Sequence, residues 1–250
     1  MNTLSDWLTA MVKWFSVEDR LDQAVRVAMF RQPAAKAFSL SAYADAEGTG
    51  EGAVFDRALA RSVDPDVERL IRKHQEDERN HERWLIERRE ALGLPAQPIP
   101  SHLRTIEVLS AEAGNLLDLP MTEDRHIAAV YALLYVVEER ALAEFASAER
   151  ALRTAGDPET ADLFARIATD EANHLRYCDA VGRRYAGPAW NGSVDAMRAI
   201  EQRVYAQQQR AFTRYVVDSG RFVMPPWMRF VTLPTVAMAD WLRGPRTAAV

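Results

Sequence analysis

The chain has 250 residues, 48% of them apolar and 27% charged, with a net charge of −5 at pH 7. That balance fits a globular fold rather than a disordered chain and argues against a general nucleic-acid binder, while leaving room for a small local basic patch. A single cysteine, Cys178, rules out an internal disulfide and fits a reducing, cytoplasmic compartment; no run of about 18 apolar residues offers a transmembrane helix.

Residues 5–15 and 17–31 read as two N-terminal helices, with Ser16 as a cap for the second and Pro33 after it. Residues 1–15 lack the basic start and the cleavage site of a signal peptide. Leu40, Tyr43, Ala44, Glu47, Glu51, Val54 and Ala58 then form one helical stripe, in which Gly48, Gly50 and Gly52 weaken the helix by about 1 kcal/mol each. Asp64-Pro65 opens the next helix, whose stripe is Val67, Leu70/Ile71, His74, Glu78, His81 and Leu85. Residues 90–121 carry four prolines and read as a long crossover with one short helix near 105–116.

Thr122-Glu123-Asp124 predicts a helix start. The stripe that follows runs Ile127, Tyr131, Leu134/Tyr135, Glu138, Ala141/Leu142, Phe145, Ala148 and Leu152. Asp157-Pro158 opens another helix, with Leu163/Phe164, Ile167, Glu171, His174, Cys178 and Val181 on its face. Ser193 predicts the cap of a last helix through about Asp218, and residues 224–242 form a tail rich in aromatics and proline, suited to covering the core or to pairing in a homodimer. The chain divides accordingly into an N-terminal extension (1–34), a central all-α bundle (35–185) and a C-terminal helix and tail (186–250).

The central part is an internal repeat. A shift of 93 residues lays Asp64-Pro65 on Asp157-Pro158 and Asp77-Glu78-Arg79-Asn80-His81 on Asp170-Glu171-Ala172-Asn173-His174, without a gap. In each copy a Glu and a His three residues apart fall on the apolar stripe, where a carboxylate is costly unless something neutralises it. Each copy also has a Glu on the preceding stripe, Glu47 and Glu138. Asp45 is an alternative to Glu47, because it stands 33 residues before Glu78 as Glu138 does before Glu171; Glu139 is the alternative to Glu138. Four carboxylates and two imidazoles suit a pair of iron ions, with manganese or a mixed pair as variants, and leave room for oxygen or water.

The pattern Glu47, Glu78-x-x-His81, Glu138, Glu171-x-x-His174 resembles the di-iron carboxylate ferritin-like superfamily, which includes bacterioferritins, rubrerythrins and several hydroxylases. The resemblance covers 35–185. It implies an up-down four-helix bundle with a long crossover, in which Glu78 and Glu171 bridge or chelate the metals, Glu47 and Glu138 are terminal ligands, and His81 and His174 each bind one ion. Asp77 and Asp170, four residues before their histidines, are expected to hold the outer imidazole N–H of the opposite half-site. His74 is expected behind the ligands, Glu51 either as an extra carboxylate or on a solvated helix face, and Tyr43, Tyr131 and Tyr135 as core residues near the site with a radical or hydrogen-bonding role as the minority reading.

The function expected from such a centre is oxidation of a small organic substrate with O2 or peroxide, with electrons from a separate donor, since no Cys-x-x-Cys pair or nucleotide fingerprint is present. A ferroxidase, peroxidase or iron-sequestering protein is the first alternative, and a bundle that uses its metal only for stability the second. The Glu47 half, with its glycines, Glu51 and His74, is the half expected to meet substrate and oxygen.

Overall fold

A computed structural model describes residues 20 and 22–218, without the side chains of 49–53, 213, 217 and 218. The expected helix at 5–15, the Ser16 cap and the tail at 224–242 lie outside the described residues, as does the Glu51 side chain. Within them the chain is all-helical: α1 (22–30), α2 (Pro33–Asp45), α3 (Gly52–Arg61), α4 (Pro65–Ala91), α5 (Thr105–Glu112), α6 (Asp124–Ala155), α7 (Pro158–Ala186) and α8 (Trp190–Asp218). Among the described residues the only extended pairing is a single bridge between Ser62 and Met121. Among the described residues no helix is long and apolar enough to cross a membrane.

The two repeat helices start alike. The Asp64 carboxylate accepts from the backbone N–H groups of Asp66 and Val67, and Asp157 accepts from that of Thr160, each followed by Pro at the first helical position. Acids in the first turn and arginines in the last suit the helix dipole in both. The ends are also cross-linked reciprocally. Arg88, near the end of α4, donates to Asp157 at 2.9 Å and to Thr160 at 2.7 Å, while Tyr185, near the end of α7, donates to Asp64. These ties set α4 and α7 antiparallel. Burial and the Thr160, Lys36 and Arg88 contacts work against each other at Asp157, and the contacts win, so its carboxyl lies well below the ordinary range.

The predicted stripes are the buried faces: Val67, Ile71, His74, Glu78, His81 and Leu85 on α4, and Phe164, Ile167, Glu171, His174, Cys178 and Val181 on α7. On α6 burial is wider than the stripe and takes in Val130, Leu133 and Val136, because α8 covers the far side with Val194, Met197 and Val204. Gly156, at φ 89°, turns the chain from α6 into α7 within two residues.

α6 starts where Thr122-Glu123-Asp124 predicts, with Glu123 before its first residue, although the Glu123 side chain makes no cap bond. One helix start differs from expectation. α8 begins at Trp190, so Ser193 lies inside it and donates to the Ala189 carbonyl. Trp190 is buried against Gly182 on α7, with its indole N–H donating 2.8 Å to Asp179. A β-carbon at residue 182 would overlap the indole ring. Gly182→Ala is therefore expected to destabilise the protein by about 2 kcal/mol despite the gain in helix propensity; thermal melting checks this, and an equal or higher Tm would contradict it.

The stripe at 40–58 is the largest departure from regular helix. α2 and α3 are continuous through Ala46–Glu51, which forms a wider π-type turn at the glycines. Such turns carry one residue more per turn and recur at functional sites.

Candidate metal centre

Four helical segments bring their buried acids and histidines together: the π turn (Glu47), α4 (His74, Glu78, His81), α6 (Glu138) and α7 (Glu171, His174), all between 0% and 4% exposed. Apolar core lies on both sides, with Phe55, Ile71, Tyr131 and Leu134 at one end and Leu40, Leu85, Phe145 and Phe164 at the other. Two groups have ligand atoms within 4.8 Å of one another: Glu47, Glu78, His81 and Glu171; and His74, Glu78, Glu138 and His174.

The spacing within the cluster is close to two-fold. Around His81 Nδ1 lie Glu47 Oε2 at 3.2 Å, Glu78 Oε2 at 3.2 Å and Glu171 Oε1 at 3.3 Å. Around His174 Nδ1 lie Glu78 Oε1 at 3.2 Å, Glu171 Oε2 at 3.3 Å and Glu138 Oε2 at 3.7 Å. Glu78 and Glu171 thus each give one oxygen to either side. The outer nitrogens pair crosswise, His81 Nε2 with Asp170 at 3.3 Å and His174 Nε2 with Asp77 at 3.4 Å. An outer N–H donated to an acid leaves the Nδ1 lone pair facing the carboxylates. Lys73 pairs with Asp77 in turn.

One ring nitrogen has one lone pair or one proton, so it cannot satisfy three carboxylate oxygens at once. Both oxygens of Glu138, one each of Glu78 and Glu171, and His74 Nε2 have no hydrogen-bond partner of proper geometry although they lie near one another. Buried orphaned acceptors converging on common points are what a cation satisfies. Four carboxylates also balance two divalent ions in charge, and the mix of hard oxygens with imidazole nitrogen fits iron or manganese.

As protein alone, the cluster divides its charge unevenly. Burial, then the Glu78 charge, pushes Glu47 well above the ordinary carboxylate range, and burial with Glu138 and Glu78 beside it pushes Glu171 up to about 7. Burial opposes charge on Glu78 and Glu138 too, but the imidazoles around them win and hold both low. All three histidines are correspondingly raised, burial being outweighed by the carboxylates.

Both open alternatives resolve by position. Asp45 is bound bidentately by Arg104, at 2.8 and 2.9 Å, and Glu139 by Arg198, at 2.8 and 3.1 Å, so neither joins the cluster. His74 Nε2 lies 3.0 Å from Glu78 and 3.1 Å from Glu138, among the clustered acids and on the Glu138 side, opposite to the half expected. Tyr43 packs on Phe145 and Phe164 with its hydroxyl accepting from Arg26, and Tyr135 packs edge-on against Trp190. Tyr131 is buried against Tyr177.

Tyr177 itself is the residue that sequence reasoning missed: its hydroxyl meets His74 Nδ1. Trp84, its counterpart under the 93-residue shift, lies beside His81 with ring centroids 5.6 Å apart and the rings tilted by 45°. Compared with protein-family models, curated proteins and solved structures, the chain matches none.

Proposed function

We propose that the chain is a ferritin-like di-iron oxidoreductase that uses O2 or peroxide to oxidise a small organic molecule, with electrons from a separate donor. One observation carries this: Glu78 and Glu171 each face both His81 and His174, so that two adjoining ligand sets share the same two carboxylates. A single structural ion would need only one set. Glu47, Glu78, His81 and Glu171 would hold one ion, and His74, Glu78, Glu138 and His174 the other, with the second oxygen of Glu171 beside it. When bound, the pair supplies redox electrons and Lewis acidity toward oxygen.

The protein's own groups set the conditions. Asp77 and Asp170 orient the histidines, Tyr177 orients His74, and the apolar core at either end keeps bulk water from the cluster. Dioxygen accepts four electrons on its way to water; a substrate that gives up two leaves two for the donor to provide.

Anaerobic loading with Fe(II), metal analysis and oxygen electrode measurements test this together. The expected result is about two iron ions per chain, in keeping with the ligand sets, and oxygen uptake by the reduced protein. A protein that retains neither iron nor manganese, and whose stability is unchanged in Glu78→Ala and His174→Ala, would refute it. A large hollow assembly that mineralises iron would replace it with iron storage.

A further inference from the structure

The cluster is not enclosed equally on all sides. A cavity of about 220 Å³ opens between α2, α5, α6 and α8, and Glu47 is the cluster residue on its wall. Its remaining wall is mainly apolar, with Tyr43, Leu103, Ile106, Leu109, Phe145 and Phe212. A second cavity, of about 300 Å³, adjoins it across Tyr43, Thr105 and Tyr205 and runs toward Arg26 and Met29 on α1, without reaching the cluster. The space exists because small side chains stand where the helices face it: Ala42 and Ala46, one turn apart, and Ala141 on α6. An apolar cavity of about 150 Å³ is enough for one benzene ring, so the volume beside Glu47 takes a ring-sized molecule, and the adjoining one lets a longer substituent extend toward α1.

The charges on the wall restrict what fits. Arg104 is closed by Asp45, and Arg140 by Glu201 at 2.9 and 3.2 Å, its guanidinium lying 3.8 Å over the Tyr205 ring. Glu144 is held by Arg26 at 2.9 Å and by the Tyr205 hydroxyl. Each full charge beside the space, apart from Glu47 in the cluster, already has its opposite. A carboxylate or ammonium entering would have to break one of these partly buried pairs and leave a partner uncompensated. Hydroxyls at Tyr43, Tyr205 and Thr105 remain as polar neighbours at the junction of the two cavities.

We propose that this cavity is the substrate site and that it takes a neutral, compact, predominantly apolar molecule of about ring size, held with its reacting end toward Glu47. The substrate role rests on the oxidoreductase assignment above; the binding does not, because no cavity residue other than Glu47 belongs to the metal cluster. This also places substrate on the half of the centre that lacks His74.

Calorimetric titration of the full-length chain, metal-free and iron-loaded, with indole, benzoate and benzylamine separates the two. Indole is expected to bind one per chain, at least about tenfold more tightly than either charged probe, a difference of roughly 1.4 kcal/mol. Filling the space from two different helices, with Ala42→Phe and with Ala141→Phe, is expected to weaken indole binding at least about tenfold while iron content stays at the wild-type level. The proposal is overturned if indole does not bind, if benzoate or benzylamine binds as well as indole, or if both filled variants keep wild-type affinity. Indole binding by a chain that holds no iron would uphold the cavity and sink the oxidoreductase assignment; iron without indole binding would do the reverse.

Discussion

Glu78→Ala is expected to empty both metal positions, whereas Glu47→Ala and Glu138→Ala are each expected to weaken one. Glu78 lies 3.2 Å from both His81 and His174 with different oxygens, so its removal takes one donor from each set and one of the four compensating negative charges. Glu47 approaches only the His81 set and Glu138 only the His174 set. Loss of an outer-shell partner already costs a metal site about 10- to 100-fold in affinity, so loss of a shared inner carboxylate should exceed about 100-fold at both positions. Iron analysis after anaerobic loading and desalting gives the readout. Iron near zero in Glu78→Ala, with about one ion left in each of the other two variants, is the expected pattern. Equal iron in all three would mean that the shared geometry of Glu78 is not used.

Stripping the metal is expected to lower the melting temperature by on the order of 10 °C. Four buried carboxylates without cations repel one another, and the cluster then has to hold protons and pair its acids with imidazoles, as the raised Glu47 and Glu171 and the raised histidines show. A ligand that binds only the folded state stabilises it by about 4 kcal/mol when present at a thousand times its Kd. For a chain of this size about 2–4 °C accompany each kcal/mol. Differential scanning calorimetry of metal-free and iron-loaded protein measures the shift, and the same comparison in Glu78→Ala should show almost none. A wild-type protein that melts at the same temperature with and without iron would contradict the prediction.

What could be read from sequence was what a periodic pattern encodes. α4 and α7 were legible because Asp-Pro marks their starts and their buried stripes recur at helical spacing, and the buried positions of Glu78, His81, Glu171 and His174 followed because they interrupt those stripes. The cross-pairing of Asp77 with His174 and Asp170 with His81 followed from the repeat. Depth and direction across helices were not legible. His74 shares a face with Glu78, but only the tertiary fold, which sets α6 across the core from it, puts it beside Glu138. Under the 93-residue shift its counterpart is Ile167, so the asymmetry was visible while its side was not. Ser193 failed as a cap because Pro188 and the 3-10 turn at Gly187–Ala189 start the helix earlier. The glycines after Glu47 predicted a weakened helix; that the backbone answers with a wider turn depends on α4 and α5, which pack against it.

The candidate ligands come from four helical segments and run from Glu47 to His174, with Glu138, Glu171 and His174 contributed by the hairpin that the Gly156 turn closes. In a small zinc module the ligands are near neighbours, and the ion itself organises the chain. Here no short stretch carries a complete set, since α4 alone provides only one carboxylate and two imidazoles, and α7 one of each. On the proposed assignment, a nascent or partly unfolded chain would have little hold on iron. Acquisition of the metal would have to follow the long-range packing of the helices, so that any redox chemistry would begin only in molecules whose core had already closed around it.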